Sequence, residues 1–268
     1  MEKFILYKNK KVFFETKGQG FPLVFLHGFL ESKDVWYNFI DNFTDKFKVI
    51  LIDLPGHGKS ETYSDTHLMR EIADAINKIL LYFGIEKCIM IGHSMGGYVS
   101  LEFEKKYSDK LISFVMFHSS AANDNTQKII NRKREIDLVN KSKKSLICKT
   151  NIPLMYAEQN RGKFLSEINF SKNICDNTLD TGVIASLNGM MLRKNNFELL
   201  KNIKKEILFI IGEKDDLIPI SSVLPQIDLS NKVNYVLLHN SGHMGFVEEK
   251  QISQKKLMEF INKVLINQ

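Results

Sequence analysis

The stretch Gly92-His93-Ser94-Met95-Gly96 decides the fold. It follows directly on an apolar run, Lys87 to Ile91, that reads as a strand, and it leads into helical spacing that begins near Gly97. A serine with glycine two positions to either side, between strand and helix, fits a very tight turn. The serine sits there in a strained conformation, and a side chain at either glycine position would collide. The helix behind such a turn aims its first N–H groups and its positive dipole end at the place where negative charge would develop. Five residues alone also fit an ordinary glycine-rich helix start, so the rest of the chain must supply what a reactive serine needs.

A serine hydroxyl is a weak nucleophile until a base accepts its proton, and the base needs a carboxylate to hold its tautomer. The order expected behind a strand-turn-helix serine is acid first, then histidine. Of seven histidines, His243 in Ser241-Gly242-His243-Met244-Gly245-Phe246 follows the last apolar run, Val233 to Leu238, in a glycine-flanked loop. That is a strand's carboxyl end, where open α/β sheets place their sites. The preceding run, Ile207 to Ile211, leads into Gly212-Glu213-Lys214-Asp215-Asp216-Leu217-Ile218-Pro219. Two aspartates compete there. Asp215 is preferred as the orienting acid by its distance from the strand end, and Asp216 reads as a turn or capping residue ahead of Pro219.

A second glycine cluster, Leu26-His27-Gly28-Phe29, follows the run Leu23 to Leu26 and should face the serine turn. A tetrahedral intermediate needs two backbone N–H donors, and the reading assigns them to Met95 and Phe29. His27, and His57 in Asp53-Leu54-Pro55-Gly56-His57-Gly58-Lys59-Ser60, read as loop-fixing residues. His93 and His118 are candidates for a place close behind the site.

Outward from these motifs, further strand-like runs cover Val49 to Ile52 and Leu111 to Phe117, and Phe4 to Lys17 reads as an antiparallel hairpin around Lys8-Asn9-Lys10. Leu68, Ile72, Ala75, Ile76, Ile79 and Leu80 make one helical face, with further helices beginning at Val99 and running through Leu257 to Val264. The alternation predicts an α/β fold: a mostly parallel sheet with helices on both faces. It breaks after Phe117 and resumes at Ile207. The expected organisation is a core of residues 1–121 and 200–268 with an inserted helical cap at 122–199. Met155, Tyr156, Phe164, Met190 and Met191 are its candidate pocket residues, each equally readable as packing.

Composition excludes several other classes. With 44% hydrophobic and 25% charged residues in 268, the chain is ordinary globular material, and no apolar run reaches the ~20 residues of a membrane span. The start of the chain has no signal-like pattern, so a cytoplasmic protein is expected. Cys88, Cys148 and Cys175 are odd in number and lack metal spacing, and all three are expected to be reduced thiols. The formal charge of +6 is spread along the chain, and its densest run, Asn131 to Lys149, is interrupted by Glu135 and Asp137. No nucleic-acid partner, metal or cofactor is expected.

Together these motifs resemble the α/β-hydrolase family, in particular its capped esterase-like members, which include C–C hydrolases, proline iminopeptidases and small carboxylesterases. The resemblance rests on His27-Gly28-Phe29, the Asp53 to Ser60 turn, Gly92 to Gly97, and Gly212 to Asp215 with Gly242-His243. It implies a cofactor-free serine hydrolase cleaving an ester or related acyl bond of a small molecule through an acyl-enzyme. The same residues could serve a C–C bond, a thioester, a lactone or a peptide, or a fold that only binds small molecules. Haloalkane dehalogenases and epoxide hydrolases are similar in fold but carry aspartate where this chain has Ser94. Relatives often have proline after the acid, where Asp216 stands here.

Overall fold

A computed structural model describes residues 2–267. Among the described residues eight strands form one sheet, in the order β1-β2-β4-β3-β5-β6-β7-β8. β1 (Glu2–Tyr7) and β2 (Lys10–Lys17) are the expected hairpin. Lys8 and Asn9 hold positive φ at its tip, 47° and 61°, as a two-residue turn between twisted strands requires. β2 pairs antiparallel with β4 (Phe47–Ile52), and every pairing beyond is parallel through β3 (Phe21–Leu26), β5 (Cys88–His93), β6 (Leu111–Phe117), β7 (Ile207–Gly212) and β8 (Val233–Leu238). β5, β6 and β7 are buried at every residue, which is why they read as unbroken apolar runs rather than as alternation.

β3 lies between β4 and β5, so the chain turns to opposite sides of β3 as it builds the sheet. Such a reversal opens a crevice at the carboxyl ends of the strands. The serine turn after β5 and the His27-Gly28-Phe29 loop after β3 both open onto it.

The helices that cover the sheet are α1 (Asp41–Thr44), α2 (Met69–Tyr82), α3 (Met95–Tyr107), α9 (Ile220–Ile227), α10 (Gly245–Glu248) and α11 (Lys250–Ile266). α2 buries Ile72, Ala75, Ile76, Ile79 and Leu80 and exposes the opposite side. Each large aliphatic so buried contributes about 1.5–3 kcal/mol. Between β6 and β7 the chain is helical: α4 (Thr126–Asn140), α5 (Lys144–Leu154), α6 (Leu165–Asn177), α7 (Asp180–Met191) and α8 (Phe197–Lys201). The two ends of this stretch meet, since Asn196 N–H donates to the Ala121 carbonyl at 2.7 Å and Arg193 donates to the Ala122 carbonyl.

The expectation of three reduced thiols is corrected for two of them. Cys148 in α5 and Cys175 in α6 form a disulfide, and only Cys88 is free, buried in β5. An odd count forbids pairing all three cysteines but not two, and their separation of 27 residues carries no sequence signal. Disulfides persist in oxidising surroundings. No described helix is long and apolar enough to cross a membrane.

Candidate active site

Ser94 holds φ 48° and ψ −111°, a conformation that side-chain-bearing residues seldom adopt. The glycines around it are there for space. A Cβ at Gly92 would stand 2.5 Å from the Gly96 carbonyl, and one at Gly96 would stand 2.5 Å from the Leu26 carbonyl. The Ser94 N–H donates to the Phe117 carbonyl, and its own carbonyl accepts the Ser119 hydroxyl at 2.7 Å, so β6 grips the turn from behind. Met95 begins α3, so its N–H belongs to the unpaired first turn of the helix, while its side chain is buried below.

Asp215 and His243, 28 residues apart, come together after β7 and β8: the His243 Nδ1–H donates to Asp215 Oδ2 at 2.7 Å. The other carboxylate oxygen accepts the N–H groups of Leu217 and Ile218, each at 2.9 Å. Asp215 therefore does the turn-capping that the sequence reading gave to Asp216, and Asp216 stands exposed at the rim of the cavity. Burial alone would push the Asp215 carboxyl up. The facing imidazoles of His243 and His118 outweigh it and hold the group well below the usual carboxylate range.

Ser94, His243 and Phe29 line one cavity of about 400 Å³. Leu30, Tyr98, Leu217 and Ile218 of the sheet side, and Ile152, Met155 and Met190 of the helical stretch, make its apolar walls. Lys128, Arg132 and Glu135 of α4 make one polar side, where the buried Asp124 pairs with both Arg132 and Arg193. Of the five candidate pocket residues in the helical stretch, Met155 and Met190 line this cavity. Tyr156 and Phe164 line a separate one of about 690 Å³ between α6 and the 34–39 segment, and Met191 lines neither.

His27 and His57 hold loops. His27 donates from Nδ1 to the Gly28 carbonyl at 2.7 Å and accepts the Leu54 N–H at Nε2, tying the loop after β3 to the loop after β4. His57 accepts the Leu30 N–H, and burial keeps its ring neutral. Neither His93 nor His118 lines a described cavity; both are buried behind His243.

The ligand atoms of His118, Asp215 and His243 lie within 4.8 Å of one another, a spacing some metal sites share. Both ring nitrogens of His118 face backbone N–H groups, of Gly212 and Gly245, at 3.1 and 3.0 Å. Burial holds that ring neutral, its pKa pulled down to about 4, so it has one lone pair and already more donors than it can accept. The donor set fits a hydrogen-bonded histidine pair around a carboxylate better than a metal centre.

The sequence reading missed Glu31. It is buried beside His93 and accepts the Gly28 N–H at 2.5 Å, and nothing in the local sequence marks it apart from other loop acids.

A family profile described as alpha/beta hydrolase fold matches residues 22–138. The chain is 26% identical to a pimeloyl-[acyl-carrier protein] methyl ester esterase of Wigglesworthia glossinidia brevipalpis, over 95% of this chain and 99% of that one. Among solved structures it is similar to a thermophilic esterase from Thermogutta terrifontis, at 25% identity and a TM-score of 0.91, covering 95% of this chain and 94% of that one. An enol-lactonase from Burkholderia xenovorans LB400 shares the fold at 14% identity and a TM-score of 0.90, covering 97% and 100%.

Proposed function

The chain is a member of the α/β-hydrolase family, and on that premise we propose that it is a serine esterase for small molecules, with Ser94 as nucleophile, His243 as base and Asp215 as the orienting acid. The observation that carries the reading is the Asp215–His243 hydrogen bond of 2.7 Å, in a loop whose histidine shares one cavity with the strained Ser94. A carboxylate on Nδ1 fixes the tautomer that leaves the Nε2 lone pair for a serine proton.

In this mechanism Ser94 Oγ attacks the ester carbonyl as His243 takes its proton. The N–H groups of Phe29 and Met95 receive the oxyanion, aided by the amino-terminal end of α3. The tetrahedral adduct collapses to an acyl-enzyme as His243 returns the proton to the leaving alcohol. Water, deprotonated by the same imidazole, then releases the acid. The helical stretch at 122–199 acts as a cap, supplying the far wall of the cavity and excluding solvent. The methyl ester named for the Wigglesworthia relative and the cavity of about 400 Å³ both favour a compact leaving group.

Fluorophosphonate labelling together with p-nitrophenyl esters from acetate to octanoate tests the reading. Wild type should label at Ser94 and turn over short esters, and Ser94→Ala should do neither. A folded wild type that neither labels nor hydrolyses any ester of the series sinks it.

A further inference from the structure

Three loops that carry the proposed chemistry meet at one buried imidazole. His93 directly precedes Ser94. Its Nε2–H donates to the main-chain carbonyl of His243 at 2.9 Å, and its Nδ1 stands 2.9 Å from Glu31 Oε2. That same carboxylate oxygen accepts the N–H of Gly28, the residue before Phe29. The pair is packed flush against the loop: a Cβ on Gly28 would stand 2.8 Å from His93 Nδ1 and 2.9 Å from Glu31 Oε2. Trp36 and Phe246 wall it edge-on, so water does not compete for these bonds.

The proton inventory follows from the partners. A carbonyl only accepts, so His93 Nε2 must carry hydrogen. Two bare lone pairs cannot face each other at 2.9 Å, so one proton is held between Nδ1 and Oε2. His93 therefore has no free lone pair, and it cannot take the place of His243 as base. Burial opposes charge on both groups, yet each favours the ionised form of the other, Glu31 being held down and His93 up. Glu31 Oε1 has no hydrogen-bond partner among the described residues, a cost that a group serving only stability would not be expected to carry.

We propose that Glu31 and His93 form a positioning pair that sets the Phe29 N–H and the His243 ring relative to Ser94. Glu31 holds the loop after β3 by its Gly28 N–H, His93 holds the loop after β8 by the His243 carbonyl, and the proton between them locks the two together. The inference rests on the roles proposed above for Ser94, His243 and Phe29. The Phe29 donor and the base are both tied to this junction, and displacement of reacting groups by about 1 Å costs on the order of 100-fold in rate.

The test compares p-nitrophenyl acetate kinetics, per site titrated with fluorophosphonate, for wild type, Glu31→Gln, His93→Gln and His93→Asn. Glutamine at 93 can keep the bond to the His243 carbonyl and lose the one to Glu31; asparagine does the reverse. Each variant should lower kcat by about 10- to 100-fold with KM within about twofold. The Glu31→Gln/His93→Gln double variant should be no slower than the worse single one, because the pair acts as a unit. Variants that label fully and keep kcat within twofold of wild type overturn the positioning role alone. A wild type that neither labels nor hydrolyses ester overturns this role and the esterase reading together. If a variant does not fold, the wild-type imidazole spectrum decides. A strongly deshielded, exchange-protected proton assigned to His93 supports the pair, and its absence overturns it.

Discussion

Asp215 spends one carboxylate oxygen on His243 Nδ1, at 2.7 Å, and the other on two backbone N–H groups of its own turn. The acid is thereby fixed at both oxygens, while Asp216 faces solvent at the cavity rim. Asp215→Asn should cut kcat by about 10⁴-fold, because an amide can present its N–H to the imidazole and favour the wrong tautomer. Asp216→Asn should stay within about threefold of wild type. Parallel ester kinetics on the two variants check this, and the reverse ranking would move the orienting role to Asp216.

The strain at Ser94 should be visible as stability. A backbone held at φ 48°, ψ −111° costs a serine on the order of 1 kcal/mol that glycine does not incur. Ser94→Gly is expected to raise Tm by about 2–4 °C while abolishing ester turnover. A thermal melt of Ser94→Gly beside Ser94→Ala measures it, and a lower Tm for glycine than for alanine would contradict the strain.

The pairing of Cys148 with Cys175 makes a thiol count decisive. Denatured without reductant, the protein should react with one equivalent of Ellman's reagent, from Cys88, and after reduction with three. Closing a loop of 27 residues should stabilise the fold by about 3 kcal/mol in the chain-entropy view, so Cys148→Ser should melt earlier by several degrees. Three free thiols in the unreduced protein would return the chain to the expectation from its sequence.

Acid should weaken the fold well before the carboxylates titrate. Burial pulls His67 and His118 down to about 4 in the folded state, against about 6.5 unfolded. Between those values the unfolded chain binds protons that the folded one refuses, so stability rises with pH across the window and falls on acidification. Tm should begin to fall as pH drops below about 6.5 and continue falling toward 4, and His67→Gln should make that slope shallower. A Tm that holds level from pH 7 to 4.5 would mean that these rings are protonated in the folded protein.

Much of this architecture is legible in the sequence because it is local. β6 and β8 run over the same residues as their apolar stretches, and the other expected strands agree to within two residues at either end. The serine turn is legible because Gly92 and Gly96 answer a steric demand set within five residues. What joins distant segments is not. Glu31 meets His93 across 62 positions, and the side-chain chemistry of either alone points nowhere. The Asp124 cluster draws Arg132 from α4 and Arg193 from beyond α7, and the cysteine pair sits on helices that show no apolar periodicity strong enough to dock them on paper. Tyr156 and Phe164 line the second cavity and not that of Ser94, a distinction that residue type alone does not carry.

The hydrogen bond from Asn196 to Ala121 brings the point where the chain leaves the sheet next to the point where it returns. A segment joined to its host at one neck imposes no length on it. β6 and β7 pair directly, whatever is strung between them. The intervening residues can thus change in number without parting β6 from β7, but not without touching the histidine loop: the Met155 carbonyl accepts the His243 N–H at 2.6 Å, and the Ala157 N–H donates to Glu248 at 2.8 Å. A segment exchanged at that neck has to bring its own acceptor for the His243 N–H, so length is free to vary there while this one contact is not.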